Sequence, residues 1–421
     1  MEGKKILIIS QLYFPDTFGG SERVVAEHAR LLAARGHQVV VLVHRDRAEL
    51  PAEETIDGVR VIRYSRPLLR KLIGKSFVDV LAVPKAFETL LAEWVPDAIV
   101  LHHPFPAAGY FRSAYSRAFS AVYVFHASVY KELQLDRKFG SISRSLLGKI
   151  IGIVGTPLQL ALVKANEHKA LARSERIVTL SRFSLKLLAE TYPDVAGKAQ
   201  EIPGGVDLVT FAPRPSRRAL RIHLGIPEDA DLILSVRRLV PRMGLPLLID
   251  ACIAARQKYP KLVCLIGGSG PDETKLKNLV RQKKAEHVVR LIGSIPVGRL
   301  SDYYGAADLY VLPTIAYEGL GLTTLEALAS GLPVVGTPVG ATPEILAPIN
   351  PAYVADAADA DALARAMTTF LALPEAERVT RRAAVRRYAE EHYSWERSVE
   401  ALESVIAELP PSSARLPPPR V

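Results

Sequence analysis

The chain has 421 residues, 49% of them hydrophobic and 23% charged, with a formal net charge of +10. That length exceeds one compact core and predicts two domains, and the composition excludes a wholly disordered or collagen-like chain. Only Cys252 and Cys264 are present, both in apolar stretches, which excludes a disulfide framework and makes a reducing compartment the default.

In chain order, KKILIIS reads as a first strand, with no small-residue cleavage site of the secretory kind. The loop QLYFPDTFGGS follows, then an amphipathic run from Glu22 to Arg35, Gly36 at the helix end, and the strand HQVVVLV. That is a βαβ unit. Further apolar runs at VRVIRY, DAIVLHH, AVYVFHA and RIVTLS alternate with helical stretches, so the first half reads as α/β with a parallel sheet buried on both faces.

The same half carries the charge: residues 1–205 hold 28 Lys+Arg against 20 Asp+Glu, a net +8 of the +10. Arg60, Arg63, Arg66, Arg70, Lys71 and Lys75 form one acid-free run, and residues 137–176 hold eight bases against two acids. Such clusters attract phosphates, anionic lipid or nucleic acid without choosing among them, and a solvated basic face is the alternative. Lys149, Gly152, Gly155 and Pro157 interrupt the apolar stretch Leu146 to Val163, which predicts no transmembrane segment.

After IPGGVDLVTFAPRPS, which reads as a linker, the alternation restarts. DLILSVRRL, a helix through Leu247 to Lys258, KLVCLIGGSG, VVRLIGS, DLYVLPT and LPVVGT make a second α/β series. The expected domains are 1–205 and 206–393, then a helix at about 394–409 and a disordered proline-rich tail at 410–421.

The most informative segment is TIAYEGLGLTTLEALASGLPVVGT. A turn bearing Gly319 and Gly321 opens a helix near Leu322, so the N–H groups of Gly321, Leu322 and Thr323 point out of a helix N-terminus, where the dipole favours an anion such as diphosphate. Glu318 and Glu326 bracket that turn. Both can face one ligand: a carboxylate in the helix can accept ribose hydroxyls, and one ahead of the glycines can reach the sugar beyond the phosphates. Taken alone, the pair also reads as a solvated loop residue and a helix-dipole partner.

The segment EGLGLTTLEALASGLPVV resembles the Glu-x(7)-Glu signature of the retaining family-four glycosyltransferases. The resemblance implies a GT-B fold, in which two Rossmann-like domains turn parallel sheets toward a central cleft. It implies a donor that is a UDP- or GDP-linked sugar and transfer to a glycan, lipid-linked or small-molecule hydroxyl acceptor with retention. No metal or cofactor is required. Within it, Glu326 holds the ribose, Glu318 contacts the donor sugar, and the Gly319 turn with the amides of Gly321, Leu322 and Thr323 holds the diphosphate.

Other segments resemble the same family in the same order. YFPDTFGGSE matches its glycine loop, where Gly19 and Gly20 let the backbone approach the diphosphate. His126, ending AVYVFHA, matches a histidine close to the donor sugar better than His102 or His103 does. IPGGVD matches the interdomain segment, with Gly204 where asparagine is usual. GGSGP and LIGSI match the loops flanking the nucleotide base, placing Gly268 and Ile295 there. In SVRRLVPRMGLPLLIDA, Arg238 matches an arginine that grips the diphosphate, but Met243 stands at the usual lysine position. Either Arg242 supplies that charge or the site uses fewer cations. YSWERSVEALESVIAEL matches a closing helix that returns to the first domain, with Trp395 as anchor.

The alternatives differ in testable ways. A dinucleotide-binding dehydrogenase lacks its third glycine, since Gly268-Ser269-Gly270 runs into Pro271, Asp272 and Glu273. Asp229/Asp231 and Asp359/Asp361 have Asp-x-Asp spacing but read as helix caps or loop residues, and no His or Cys cluster suggests zinc. A nucleotide-sugar epimerase, a phosphorylase with a pyridoxal lysine, and a catalytically silent nucleotide-sugar-binding protein stay open. The basic runs and Leu146 to Val163 suggest a peripheral membrane contact with a lipid-linked or polysaccharide acceptor, a cytoplasmic location at the inner face of the membrane, and no nucleic-acid partner; an apolar helix buried in the acceptor domain is the alternative.

Overall fold

The computed structural model describes residues 3–13, 19–65, 75–139 and 146–412. Part of the glycine loop (14–18), Arg66, Arg70 and Lys71 of the basic run, and the tail from 413 lie outside the described residues.

The first sheet contains β1 (Lys5–Ile9), β2 (Gln38–His44), β3 (Glu53–Ile56), β4 (Val59–Tyr64), β5 (Ala98–His102), β6 (Ala121–Phe125), β7 (Arg176–Thr179) and β8 (Ala199–Glu201). Its order is β3-β4-β2-β1-β5-β6-β7-β8, parallel throughout except that β3 runs antiparallel to β4. At its centre Ile8 stands between Val41 of β2 and Val100 of β5. Residues of β1 pointing to either face are buried, as strands covered by helices on both sides require. Helix Gly20–Ala34 turns Val24, Val25, His28, Ala29, Leu31 and Leu32 inward, and Gly36, with φ of +95°, lets the chain reverse into β2.

The second sheet contains β9 (Asp231–Val236), β10 (Leu262–Gly267), β11 (Val289–Gly293), β12 (Leu309–Leu312) and β13 (Val334–Gly336). All are parallel, in the order β11-β10-β9-β12-β13. The chain builds outward from β9 to β11 on one side, then returns to place β12 on the other side. The carboxyl ends of β9 and β12 therefore flank a topological switch point, where open α/β sheets leave a crevice for ligands.

The chain divides into two compact units. The first holds the described residues up to Lys131, those of 151–204 and the segment from Trp395 onward; the second holds Gly205–Ser394 with the described residues between Glu132 and Ile150. Within the first unit, Trp395 is buried edge-on to His28 at 5.9 Å, and Glu403 of the same helix (Trp395–Ala407) accepts from Arg35 at 2.5 Å and from His37 at 3.0 Å.

One charge reading changes in three dimensions and another holds. Arg60 pairs with Glu53 and Glu93, and the buried Arg63 pairs with Glu54, so both described arginines of the basic run are neutralised by neighbours. Asp359 accepts from the amide of Ala362 at 2.8 Å as a helix cap, and Asp229 pairs with Lys261. Cys252 and Cys264 are buried and unbonded. Among the described residues, no helix is long and apolar enough to cross a membrane. The longest, Leu146–Arg173, leaves Leu158 and Leu162 exposed at 64% and 44%.

Candidate functional site

The segment leaving β12 is bent in a way few residues tolerate. Tyr317 has φ of +63°, a left-handed conformation costly for a non-glycine residue. Its carbonyl accepts from Arg242 Nη1 at 3.0 Å, and the next carbonyl, of Glu318, accepts from the amide of Ala341 at 2.9 Å. Gly340 (φ of +64°) lies against this turn: a Cβ there would stand 2.3 Å from the Glu318 carbonyl oxygen. The bend delivers Glu318 to the mouth of helix Leu322–Ala329, whose N-cap Gly321 has φ of +76°. The amides of Thr324 and Leu325 already bond the Gly321 carbonyl, so those of Gly321, Leu322 and Thr323 are the ones directed outward.

Both glutamates are buried, at 8% and 4% exposure. Glu318 Oε2 accepts from Thr314 Oγ1 at 2.9 Å and from Arg237 Nη2. Glu326 Oε2 accepts from the Tyr304 hydroxyl at 2.8 Å. Arg237 Nη2 also meets Thr314 Oγ1 at 3.2 Å and Met243 Sδ at 2.6 Å, and its Nη1 lies 3.4 Å from Thr323 Oγ1. Burial pulls the Arg237 pKa down, but the charge of Glu318 and the Tyr310 phenol outweigh it and the cation is held more firmly than usual.

The two arginines picked out from the sequence differ in setting. Arg238 is exposed, its side chain making no hydrogen bond or ion pair among the described residues. Arg242 is buried: besides Tyr317 O, its Nη2 donates to Glu132 at 2.8 Å, while its Nε lies 3.7 Å from Asp136 without a hydrogen bond among the described residues. Met243 is buried with its sulfur on Arg237. Arg237, passed over in the sequence in favour of its neighbour, is the cation at Glu318. Strand alternation carries the signal: the Arg237 amide continues the ladder by bonding Gly267 O at 2.9 Å, so its side chain follows the buried Ser235 while Arg238 takes the other face.

Gly268 closes the same edge. Its φ is +130°, its amide donates to Gly293 O at 2.7 Å, and a Cβ would come within 1.8 Å of Arg237 O. The Ile295 side chain reaches over β10, its Cδ1 2.7 Å from where a Cβ on Gly267 would sit. Gly268 and Ile295 thus border the ends of β9 and β10, while Glu318, Gly319, Gly321, Leu322, Thr323 and Glu326 gather at the β12 side. Tyr304, Thr314 and Arg237 complete the group without having been singled out beforehand.

In the first unit, Gly19 caps helix Gly20–Ala34 after β1, and a Cβ on Gly19 would collide with Glu22 Oε2 at 2.0 Å. His126 follows β6 at the same carboxyl edge of the parallel sheet. Its Nε2 pairs with His102 Nδ1 at 2.8 Å, and its ring stacks on His103 at 5.5 Å. His103 holds a left-handed φ of +64°. Burial, then the neighbouring histidines, pushes the pKa values of His102 and His126 well below the ordinary range, which keeps both neutral. No group of three or more His, Cys, Asp or Glu side chains among the described residues is placed to hold a metal ion.

Comparison with known proteins gives a consistent result. Residues 216–392 match the family described as Glycosyl transferases group 1, and residues 18–210 the one described as Glycosyltransferase Family 4. The D-inositol 3-phosphate glycosyltransferase of Kineococcus radiotolerans is 30% identical over 76% of this chain and 73% of its own length. The GDP-mannose-dependent alpha-(1-6)-phosphatidylinositol monomannoside mannosyltransferase of Mycolicibacterium smegmatis is 33% identical over 52% of this chain and 57% of its own length. In fold, the sucrose-phosphate synthase of Thermosynechococcus elongatus superposes with a TM-score of 0.78 at 23% identity, covering 96% of this chain and 98% of that one.

Proposed function

From the premise that the chain belongs to the family-four, group 1 glycosyltransferases and has their GT-B fold, we propose that it moves a sugar from a UDP- or GDP-linked donor to a hydroxyl acceptor with retention of anomeric configuration. One observation carries this reading: two buried carboxylates, Glu318 and Glu326, stand on either side of an open helix N-terminus at the switch point of the second sheet.

In this reading Glu326 accepts from the ribose hydroxyls, the amides of Gly321, Leu322 and Thr323 take the diphosphate with Arg238, and Glu318 accepts from a hydroxyl of the sugar. The bond from the anomeric carbon to the diphosphate oxygen breaks. The acceptor oxygen bonds that carbon on the same face, and its proton passes to the departing phosphate oxygen. Donors fixed in advance where negative charge grows provide the main rate enhancement, without a metal. His126 hydrogen-bonds the donor sugar as a neutral imidazole.

The relatives' names mention inositol phosphate and a phosphatidylinositol mannoside, which supports a polyol or lipid-linked acceptor and a place in cell-envelope glycolipid or polysaccharide synthesis. The exposed Leu158 and Leu162, on a helix that also carries Lys164 and Lys169, support a peripheral contact with the inner face of a membrane, hence a cytoplasmic protein. Sedimentation with anionic vesicles at low salt tests that contact, and a protein left wholly in the supernatant refutes it. The activity is tested by incubating the protein with UDP- and GDP-hexoses, with and without inositol phosphate or phosphatidylinositol acceptors. Acceptor-dependent release of nucleoside diphosphate and a product of unchanged anomeric configuration are expected; conversion of donor without acceptor would make it an epimerase.

A further inference from the structure

We propose that Arg237 is a direct ligand of the donor's diphosphate, supplying from the end of β9 the cation that Met243 cannot. This rests on the nucleotide-sugar reading of the site.

A guanidinium has five N–H donors. In Arg237, Nη2 is fully engaged by Glu318, Thr314 and the Met243 sulfur. Nη1 meets Thr323 Oγ1 at 3.4 Å, a distance at which little hydrogen-bond energy remains, and the Tyr310 phenol lies beside the same guanidinium. Nε is buried and has no hydrogen-bond partner among the described residues. An unmet donor on a buried cation is costly, and native structures keep few of them. An acceptor arriving at the first turn of helix Leu322–Ala329 removes that cost. Thr323 fixes where it would sit: its amide is one of the three directed outward, and its own hydroxyl touches Nη1. A phosphate oxygen held on the Thr323 amide therefore lies within reach of the unfilled donors of Arg237.

Arg237 and Met243 also fit each other. A cationic side chain at 243 would meet the guanidinium where the sulfur now lies 2.6 Å from Nη2, forcing two like charges into contact in a buried place. A thioether there accepts weakly and carries no charge, so one cation at this spot excludes the other.

The test compares binding of UDP and GDP with binding of uridine and guanosine, by calorimetry, in the full chain. Wild-type protein is expected to prefer a diphosphate over its nucleoside. Arg237→Gln keeps an amide for Glu318 and removes the charge, and should weaken the diphosphate roughly tenfold while leaving the nucleoside unchanged, the loss of one charge-assisted contact. Adding Met243→Lys to Arg237→Gln should restore most of that loss, whereas Met243→Lys alone should weaken it. Equal weakening of diphosphate and nucleoside, or an unchanged diphosphate affinity, would reduce Arg237 to a support for Glu318 and overturn the inference. If Arg237→Gln gives no cooperative melt, the double variant decides, and a folded double variant without diphosphate preference overturns it too. A wild-type protein that binds neither diphosphate sinks the nucleotide-sugar reading itself, and this inference with it.

Discussion

The Tyr304 hydroxyl donates to Glu326 Oε2 across 2.8 Å, with both residues buried. The phenol thus orients the carboxylate proposed to receive the ribose. Glu326→Ala should raise the donor KM by roughly ten- to a hundredfold, the effect of losing hydrogen bonds to a charged group, and change kcat less. Tyr304→Phe retains the ring contacts with Phe211 and Tyr310, both at 5.8 Å between centroids, and should weaken the donor by a smaller factor. Steady-state kinetics separates the two. A KM untouched in Glu326→Ala would remove the ribose role.

Glu318→Gln keeps an oxygen for Arg237 and Thr314 and removes the negative charge. Turnover should fall roughly a hundredfold, as when a preorganised electrostatic contact is lost from an active site, while UDP or GDP affinity stays within a few-fold. Transfer rates and nucleotide titration on the same preparation check this. Unchanged turnover would take Glu318 out of the chemistry.

What could be read from one dimension followed physical lines. The α/β architecture was legible because each strand of a buried parallel sheet carries a continuous apolar run, as in Leu232 to Leu234 or Val263 to Ile266. The helix opening at Leu322 was legible because a left-handed residue is needed there and Gly321 is the residue that adopts it readily. Partners remote in sequence were not. Glu132 lies 110 positions from Arg242, and Tyr304 lies 22 from Glu326, so no spacing rule could reveal either pair. The run from Arg60 looked acid-free only along the chain: β3 lies antiparallel on β4 and sets Glu53 and Glu54 beside Arg60 and Arg63.

Gly340 is assigned no ligand contact of its own, yet it packs on Glu318 and should control it. Alanine there would occupy a left-handed backbone and press its Cβ to 2.3 Å from the Glu318 carbonyl. Gly340→Ala should cost about 1–3 kcal/mol of stability through strain and displacement of the turn. Because the turn carries the Glu318 side chain, kcat should drop more than nucleotide affinity. A fully active, equally stable variant would show that the turn adjusts freely.

The histidines of the first unit should make its stability depend on pH. His28 is buried, and neither ring nitrogen has a partner among the described residues. It faces the His102 ring at 5.7 Å and Trp395 at 5.9 Å, and His102 in turn bonds His126. Burial lowers its pKa from 6.5 to about 4. The unfolded chain therefore binds a proton between those two values that the folded chain refuses. Stability is complete above pH 6.5 and is lost as pH falls toward 4, by about 3 kcal/mol for this group. His102 and His126, also shifted downward, add loss in the same direction. His28→Phe keeps an aromatic ring against Trp395 and does not titrate, so its urea midpoint should fall less than the wild-type midpoint between pH 7 and pH 5. Parallel pH profiles would mean that His28 takes up its proton in the folded state as readily as in the unfolded one.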